Sequence, residues 1–316
     1  MRAVRVTELG GPESIEVVEI DEPSDDGVVV DVHAAGVAFP DALLTRGLYQ
    51  YRPELPFTLG AELAGMVRSA PEGAGVKPGD RVVGLTMIGG AMAETAVLGA
   101  DRVFPLPENV SFEAGAGLLF NDLTVYFALT VRGRLAAGET VLVHGAAGGI
   151  GTSTLRLAPA LGARRVIAVV SSQDKAEVAR AAGATDVVLA DGFKDAVAEL
   201  TGGAGVDIVM DPVGGDRFTD SLRSLAPGGR LLVVGFTGGE IPTVKVNRLL
   251  LNNVDVVGVG WGAWVLRHPG ALAEQWQGLA SLLESGTLAA PQPQVYPLSQ
   301  AGEAVASLEN RTARGK

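Results

Sequence analysis

Residues 141–151 read VLVHGAAGGIG: a short apolar run that leads straight into a glycine-rich turn. The segment after it, IGTSTLRLAPALG, has helical character, so the turn ends a strand and opens a helix. As a dinucleotide motif it reads Ala146-x-Gly148-x-x-Gly151, with alanine in the first glycine place. Gly148 lets backbone come close to a pyrophosphate, and Gly151 lets the helix pack tightly on the strand. Between them Gly149 and Ile150 open the helix, whose N-terminal N–H groups and positive dipole end favour phosphate. A tight turn in a nucleotide-free domain is the alternative. The strand–turn–helix context and the repeated strand–helix units that follow argue against it.

Those units run outward from the turn. RRVIAVV, TDVVLA, GVDIVMD, GRLLVVG and NVDVVGV are near-continuous apolar strands. QDKAEVARAAG, FKDAVAELTG and GDRFTDSLRSLAPG, between them, are helical. Apolar strands alternating with helices imply a parallel sheet covered on both faces. Pro159 falls late in the first helix, where it is expected to bend or shorten it. Residues 1–117 have another style. RAVRVTEL, SIEVVEI, VVVDVHAAGV and LAGMVRSA are β-rich, and GGP, EPSDDG and KPGD are turns. They imply a largely antiparallel domain, and the stretch 260–316 returns to a mixed pattern.

Which dinucleotide fits is read from the next strand. NAD-binding domains place a carboxylate there to grip the ribose 2′-OH. Here RVIAVV ends in Ser171-Ser172, followed by Asp174 and Lys175. Ser171 does not repel a 2′-phosphate, and Lys175 can reach one as a point charge. The pattern favours NADPH. Lys175 alone would read as an ordinary surface lysine; the missing acid gives it weight.

Composition excludes several other chemistries. The 316 residues are 47% hydrophobic and 19% charged, a globular composition, with a formal charge of −11 and no Lys/Arg run. Nucleic acid and anionic membrane are therefore not expected as partners. With no cysteine, disulfides, thiolate nucleophiles and Cys-ligated zinc are ruled out. MRAVRVTELG lacks the apolar core of a signal peptide, and no apolar run of bilayer-spanning length is read, so a cytoplasmic protein is expected.

VLVHGAAGGIG, SSQDK, VDIVMDPVGGDRF, GGRLLVVGF and NRLLLNN resemble the zinc-free quinone oxidoreductase branch of the medium-chain dehydrogenase/reductase family. GVAFPDALLTRGLY, LGAELAG, KPGDRVVGL and NDLTVYFAL do so in the first part. The resemblance implies an α/β protein with a GroES-like, mainly β catalytic domain from 1–117 and 260–316. A doubly wound Rossmann domain with a parallel sheet would be inserted at 118–259. It implies NADPH as cofactor and homodimers paired through the last Rossmann strand. Zinc-dependent relatives place ligands where Ala38 and Ala61 stand here, so no metal is expected. Without a Lewis acid, the chemistry left is hydride delivery to a small molecule that is already electrophilic. The acceptor would be a quinone, with an enone, alkenal or enoyl thioester as alternative. A non-catalytic NADPH-binding protein is the further alternative.

The resemblance also assigns residues. Tyr49 matches a tyrosine lining the acceptor site, where it would bind the carbonyl oxygen or supply a proton; the other reading is a loop tyrosine that packs. Tyr51 has the same chemistry beside it. Asn121 and Thr124 match positions at the nicotinamide end of the cofactor. Gly235 and Phe236 follow a strand end, with the Phe236 backbone expected to face nicotinamide. Arg311 matches an arginine that reaches the 2′-phosphate, or is a surface residue. His144 reads as a buried structural histidine. Trp261 and Trp264 would wall the acceptor cleft or fill the core. Three departures stand out: Ala38 for a frequent Asn, Leu43 for a second tyrosine, and Ala190 for a tyrosine near the 2′-phosphate. The candidate carrier-binding arginines Arg46, Arg52 and Arg267 are scattered.

Overall fold

The apolar runs after residue 139 form one sheet. In the computed structural model, which describes residues 1–24, 26–87 and 89–316, the strands are β9 (Thr140–Val143), β10 (Arg165–Val170), β11 (Asp186–Leu189), β12 (Val206–Asp211), β13 (Leu225–Val233) and β14 (Asp255–Gly258). Their order is β11-β10-β9-β12-β13-β14, and every neighbouring pair is parallel. This is the expected doubly wound sheet, with its order reversing between β9 and β12. Val141, Leu142, Val143, Ile208, Val209 and Met210 are fully buried. That is why these strands read as unbroken apolar runs rather than alternating ones. Phe193, Val197, Phe218 and Leu222 from the crossover helices close one face over Leu142, Ile167, Val209 and Leu231.

The first part of the chain is antiparallel, as expected. It has β1 (Arg2–Val6), β2 (Ile15–Glu19), β3 (Val28–Gly36), β4 (Phe57–Thr58), β5 (Glu62–Ser69), β6 (Arg81–Leu85), β7 (Thr95–Leu98) and β8 (Val103–Pro105). They make a three-stranded sheet, β2-β1-β4, and a five-stranded one, β7-β3-β5-β6-β8. Asp25, part of the expected EPSDDG turn, lies outside the described residues. Met1–Leu123, Val265–Arg314 and Lys316 form one unit; Thr124–Trp264 and Gly315 form the other.

Three local readings change. Pro159 sits in the last turn of a helix spanning Gly149–Ala160, so its missing N–H removes one link where the helix stops. The helix expected over GDRFTDSLRSLAPG ends at Arg223, and β13 starts at Leu225. Pro227 and the positive φ of Gly228 (80°) cannot continue a helix. A run of spanning length does exist: Phe112–Arg132 is helical for 21 residues, apolar enough to cross a bilayer by length and composition, and mostly buried inside the protein. Leu118, Leu119, Leu123, Val125 and Leu129 are all fully buried, which fits a core helix. Two wide π-helical stretches, Leu118–Asp122 and Ala128–Arg132, interrupt it.

Candidate functional site

The turn after β9 is built by backbone. Gly145 takes a left-handed conformation (φ 59°), and its carbonyl accepts the Gly148 N–H at 2.9 Å. Gly148 caps the helix, and its own carbonyl accepts the Thr152 N–H at 2.8 Å. The next amides, of Gly149, Ile150 and Gly151, belong to the first turn, where no intrahelical acceptor exists. A Cβ on Gly151 would collide with the Gly145 carbonyl oxygen and lie 2.5 Å from Ala146 Cα. One on Gly148 would meet only the Gly145 oxygen, at 3.4 Å, in ordinary contact. The glycine at 151 is thus fixed by internal packing, while the space beyond Gly148 is open. A pyrophosphate laid against those amides fits this cradle.

The carboxyl ends of the neighbouring strands gather at the same place. Asp211, buried at the end of β12, accepts the N–H groups of Val213 and Gly214 at 2.9 Å each and shapes the turn that follows. A Cβ on Gly145 would meet the Val213 side chain at 3.2 Å, so this turn and the glycine turn touch. After β13, Thr237 N–H donates to the Pro212 carbonyl and Gly238 N–H to that of Val213. The Phe236 ring lies over Gly214, where a Cβ would come within 2.9 Å of it, and Phe236 remains partly exposed. The structure therefore brings Ala146, Gly148–Gly151, Gly235 and Phe236 to the switch point of the sheet.

Past the end of β10, Ser171 is exposed and Ser172 caps the helix Gln173–Ala181. Lys175 is the third residue of that helix. A cation there faces the positive end of the helix dipole. Ala190 follows β11 and donates its N–H to the Val170 carbonyl, which places it next to the β10 end.

The first unit holds a second cluster. Ala38, buried, precedes the short helix Phe39–Thr45. Asp41 accepts the Ala38 N–H at 2.8 Å and the Gly60 N–H at 3.3 Å. Burial pushes its carboxyl up from 3.8 to about 6, although both amides and Lys316 pull the other way. Glu62 is buried at the head of β5, ion-paired with Lys316 and accepting the Phe120 N–H at 2.8 Å. Burial raises its carboxyl too, and Lys316 opposes that. Tyr49 is half-buried against the core cluster that includes Leu44, Phe57 and Leu59. Burial, then the charge of Asp41, lift its phenol above the ordinary value, against a hydrogen bond with Gln50.

Residues 24–108 match the family model described as alcohol dehydrogenase GroES-like domain, and residues 149–285 that described as zinc-binding dehydrogenase. The chain is 37% identical to quinone oxidoreductase-like protein 2 of Rattus norvegicus, over 100% of this chain and 91% of that protein. It is 31% identical to Homo sapiens quinone oxidoreductase, over 96% and 92%. The structure of Escherichia coli quinone oxidoreductase complexed with NADPH aligns with a TM-score of 0.88 at 32% identity, covering 100% of this chain and 98% of that one. A probable oxidoreductase from Mycobacterium abscessus aligns at 0.89 and 43% identity, covering 100% and 97%. The chain belongs to the zinc-free quinone oxidoreductase branch of the medium-chain dehydrogenase/reductase family.

It is accordingly an oxidoreductase, with the two-part architecture that the resemblance implied. The word zinc describes the family model, not these residues: the chain has no cysteine, and alanines stand at 38 and 61. The remaining candidates lie as follows. Asn121 and Thr124 are buried in the long helical run, Asn121 within its first wide stretch. Tyr51 is half-exposed. Arg311 is exposed, with a left-handed backbone (φ 57°), just after the helix Ala301–Glu309 of the first unit. Trp261 is buried, and Trp264 packs on Phe127 with ring centroids 5.4 Å apart. His144 is fully buried, bonded to Ser221 and edge-on to Phe193, which suits a structural role. Arg46 is bound to Glu309 and Glu13. The sequence reading gave no role to Asp41 or to the Glu62–Lys316 pair. Their only signal was two acids, each close to an alanine that replaces a zinc ligand.

Proposed function

We propose that the protein is a zinc-independent reductase that uses NADPH to reduce a quinone. The observation that carries this is the glycine cradle at Gly148 and Gly151, followed by a β10 end with no acid and with Ser171 and Lys175 in its place. The Escherichia coli relative complexed with NADPH supports the same cofactor. When bound, NADPH supplies a hydride; with one proton, the quinone becomes the hydroquinone and NADP⁺ is left.

The amides of Gly149, Ile150 and Gly151 would hold the pyrophosphate, with Ala146 and Gly148 lining the turn, their own N–H groups donating to the Val169 and Gly145 carbonyls. Ser171 and Lys175, with Arg311, would hold the 2′-phosphate. Asn121, Thr124, Gly235 and Phe236 would orient the nicotinamide end. Tyr49 keeps its proton, so it would donate a hydrogen bond or the proton to the acceptor oxygen, with Tyr51 as the neighbouring phenol. Rate would come mainly from holding donor and acceptor aligned, with water excluded. Arg46 is paired with Glu309 and Glu13, and no cluster of arginines for a phosphorylated thioester carrier is seen among Arg46, Arg52 and Arg267, which are scattered along the chain.

A second copy of this chain is the proposed partner. β14 is an edge strand, bonded only to β13 among the described residues. Just before it, Ile241, Val246, Leu250 and Leu251 expose apolar side chains. Strands pairing edge to edge would cover both features. Leu250→Glu with Leu251→Glu should turn a dimer into a monomer in analytical ultracentrifugation.

The activity is tested by following NADPH and NADH oxidation with a benzoquinone, a larger aromatic quinone, a simple enone and an enoyl thioester. Fast, NADPH-preferring turnover with the quinones supports the proposal. Turnover with the enone alone moves the assignment to enone reduction. No turnover despite tight NADPH binding removes the catalytic reading.

A further inference from the structure

Glu62 takes no part in the steps proposed above, yet several positions are arranged around it. It is fully buried, and its two oxygens have different partners: Oε1 takes the Lys316 ammonium, and Oε2 accepts the Phe120 N–H at 2.8 Å. Its register partner across β3 and β5 is Gly36. A Cβ on Gly36 would collide with the Ala116 carbonyl oxygen and come within 2.6 Å of Glu62 Cγ. Glycine at 36 therefore leaves the path by which the Glu62 side chain crosses β3 towards the helical run.

The far end of that path is a helix start. The run Phe112–Arg132 is interrupted at Ala116–Gly117 and resumes as the wide stretch Leu118–Asp122, capped by Gly117. Glycine has no side chain to accept the first-turn amides, and none caps them locally. Phe120 is the third residue of the stretch, and its N–H donates to Glu62. The acceptor thus comes from another element, with the negative charge that a helix N-terminus favours. Lys316 offsets the charge where solvent cannot; the paired side chains are 1% and 8% exposed. A buried ion pair is weak as a device for stability alone, since removing both charges is often neutral. Its geometry here, on the amide next to Asn121, gives it another use.

We infer that Glu62 is a positioning residue: by holding the Phe120 N–H it fixes the wide turn that presents Asn121, and so aligns the nicotinamide end of the cofactor. This rests on the assignment of Asn121 in the proposed function. Lys316 acts one step further back, by offsetting the buried Glu62 charge.

The test compares Glu62→Ala, Glu62→Gln, Asn121→Ala, the double variant Glu62→Ala/Asn121→Ala, and Glu62→Gln/Lys316→Met. The readouts are kcat and the NADPH KM with the best quinone, and the affinity for 2′,5′-ADP, which occupies only the adenosine end. Glu62→Ala should lower kcat by about tenfold or more, the scale of a small misplacement of a reacting group, with 2′,5′-ADP affinity unchanged. Glu62→Gln keeps an acceptor for the amide and should stay within about threefold of wild type, since a single hydrogen bond is preserved. Adding Glu62→Ala to Asn121→Ala should cost nothing further, because the two act through one contact. Wild-type kcat in Glu62→Ala, or losses that multiply in the double variant, overturns the inference. If Glu62→Ala does not fold, Glu62→Gln/Lys316→Met decides: it keeps the cap without either charge, and a tenfold loss of kcat there overturns the inference. If wild-type protein oxidises NADPH with no acceptor, the proposed function fails by itself. Hydrogen exchange over residues 118–124 then tests the cap, and equal protection in wild type and Glu62→Ala overturns it.

Discussion

Gly151 and Ala146 lie so close that a Cβ on Gly151 would come within 2.5 Å of the Ala146 Cα. The turn and the first helical residues are therefore in backbone contact, and a methyl group has nowhere to go. Gly151→Ala should destabilise the protein without ligand by about 1–3 kcal/mol, the usual cost of overpacking. Gly148→Ala differs. Its φ is −93°, which alanine tolerates, and its Cβ would make only ordinary contact inside the protein. It should leave the unliganded Tm unchanged and weaken NADPH about tenfold, the equivalent of 1.4 kcal/mol. Thermal melts with and without NADPH separate the two, and equal behaviour would count against the pyrophosphate assignment.

Lys175 stands in the first turn of its helix, where its charge opposes the helix dipole. If it holds the 2′-phosphate, Lys175→Ala loses a charge-assisted bond of about 1.5–3 kcal/mol. NADPH affinity should fall on the order of ten- to a hundredfold, and NADH affinity should stay the same. An unchanged NADPH/NADH ratio in a binding titration would falsify the assignment of Lys175.

The parallel sheet and the glycine turn were legible because their physics is local. A strand buried on both faces is apolar throughout, and a turn that touches backbone needs glycine. The start of β13 was less so. SLAPG continues a helical pattern, and only the pairing of Val206 with Leu225 shows that the chain is already extended there. The wide helical stretches left no mark, because FEAGAGLLFND is apolar without a clear period. Least legible was the Glu62–Lys316 pair, made across 254 residues. An acid beside a replaced zinc ligand reads as a surface charge until the fold buries it.

Asp41 should tie stability to pH with an unusual sign. Its folded value, about 6, lies above the ordinary 3.8. The folded state therefore holds a proton that the unfolded chain releases. The associated stability is full below about pH 3.8 and is lost as pH rises through about 6. Asp41→Asn keeps an acceptor for the Ala38 N–H and has no such titration. Its stability relative to wild type should rise by about 2–3 kcal/mol between pH 4 and 7. Urea melts at the two pH values measure this, and a constant difference would mean that folding leaves the titration of Asp41 unshifted.

His144 should act in the opposite direction. Burial depresses it from 6.5 to about 4, against the charge of Asp211 and with that of Arg217. The folded protein keeps it neutral, so its contribution is present above pH 6.5 and is lost as pH falls through about 4. The hydrogen bonds also assign its tautomer. Ser221 Oγ donates to the Arg217 carbonyl at 3.0 Å, which leaves Oγ to accept from His144 Nε2–H at 2.7 Å. Nδ1 is then the bare nitrogen, and it is buried without a hydrogen-bond partner. Nitrogen NMR should show the Nε2–H form, unchanged down to about pH 5. His144→Gln should remove about 2 kcal/mol of the stability lost between pH 7 and pH 5.

Tyr49 separates packing from chemistry, because Tyr49→Phe removes only the hydroxyl. The ring packs against the core cluster that includes Leu44, Phe57 and Leu59, and that packing survives the change, so the Tm should barely move. The phenol is held above its ordinary 10 by burial and by Asp41. It therefore stays protonated through any pH at which the enzyme is assayed. A donor of that kind, aimed at the oxygen where charge develops, is worth about 10²-fold or more in kcat. Tyr49→Phe should lower kcat by about that factor at every pH from 6 to 9, with NADPH affinity unchanged. A hydroxyl that ionised in this range would instead leave a loss that shrinks as pH rises. Unchanged kcat across the range would make Tyr49 a packing residue, and the proton would then come from Tyr51 or from water.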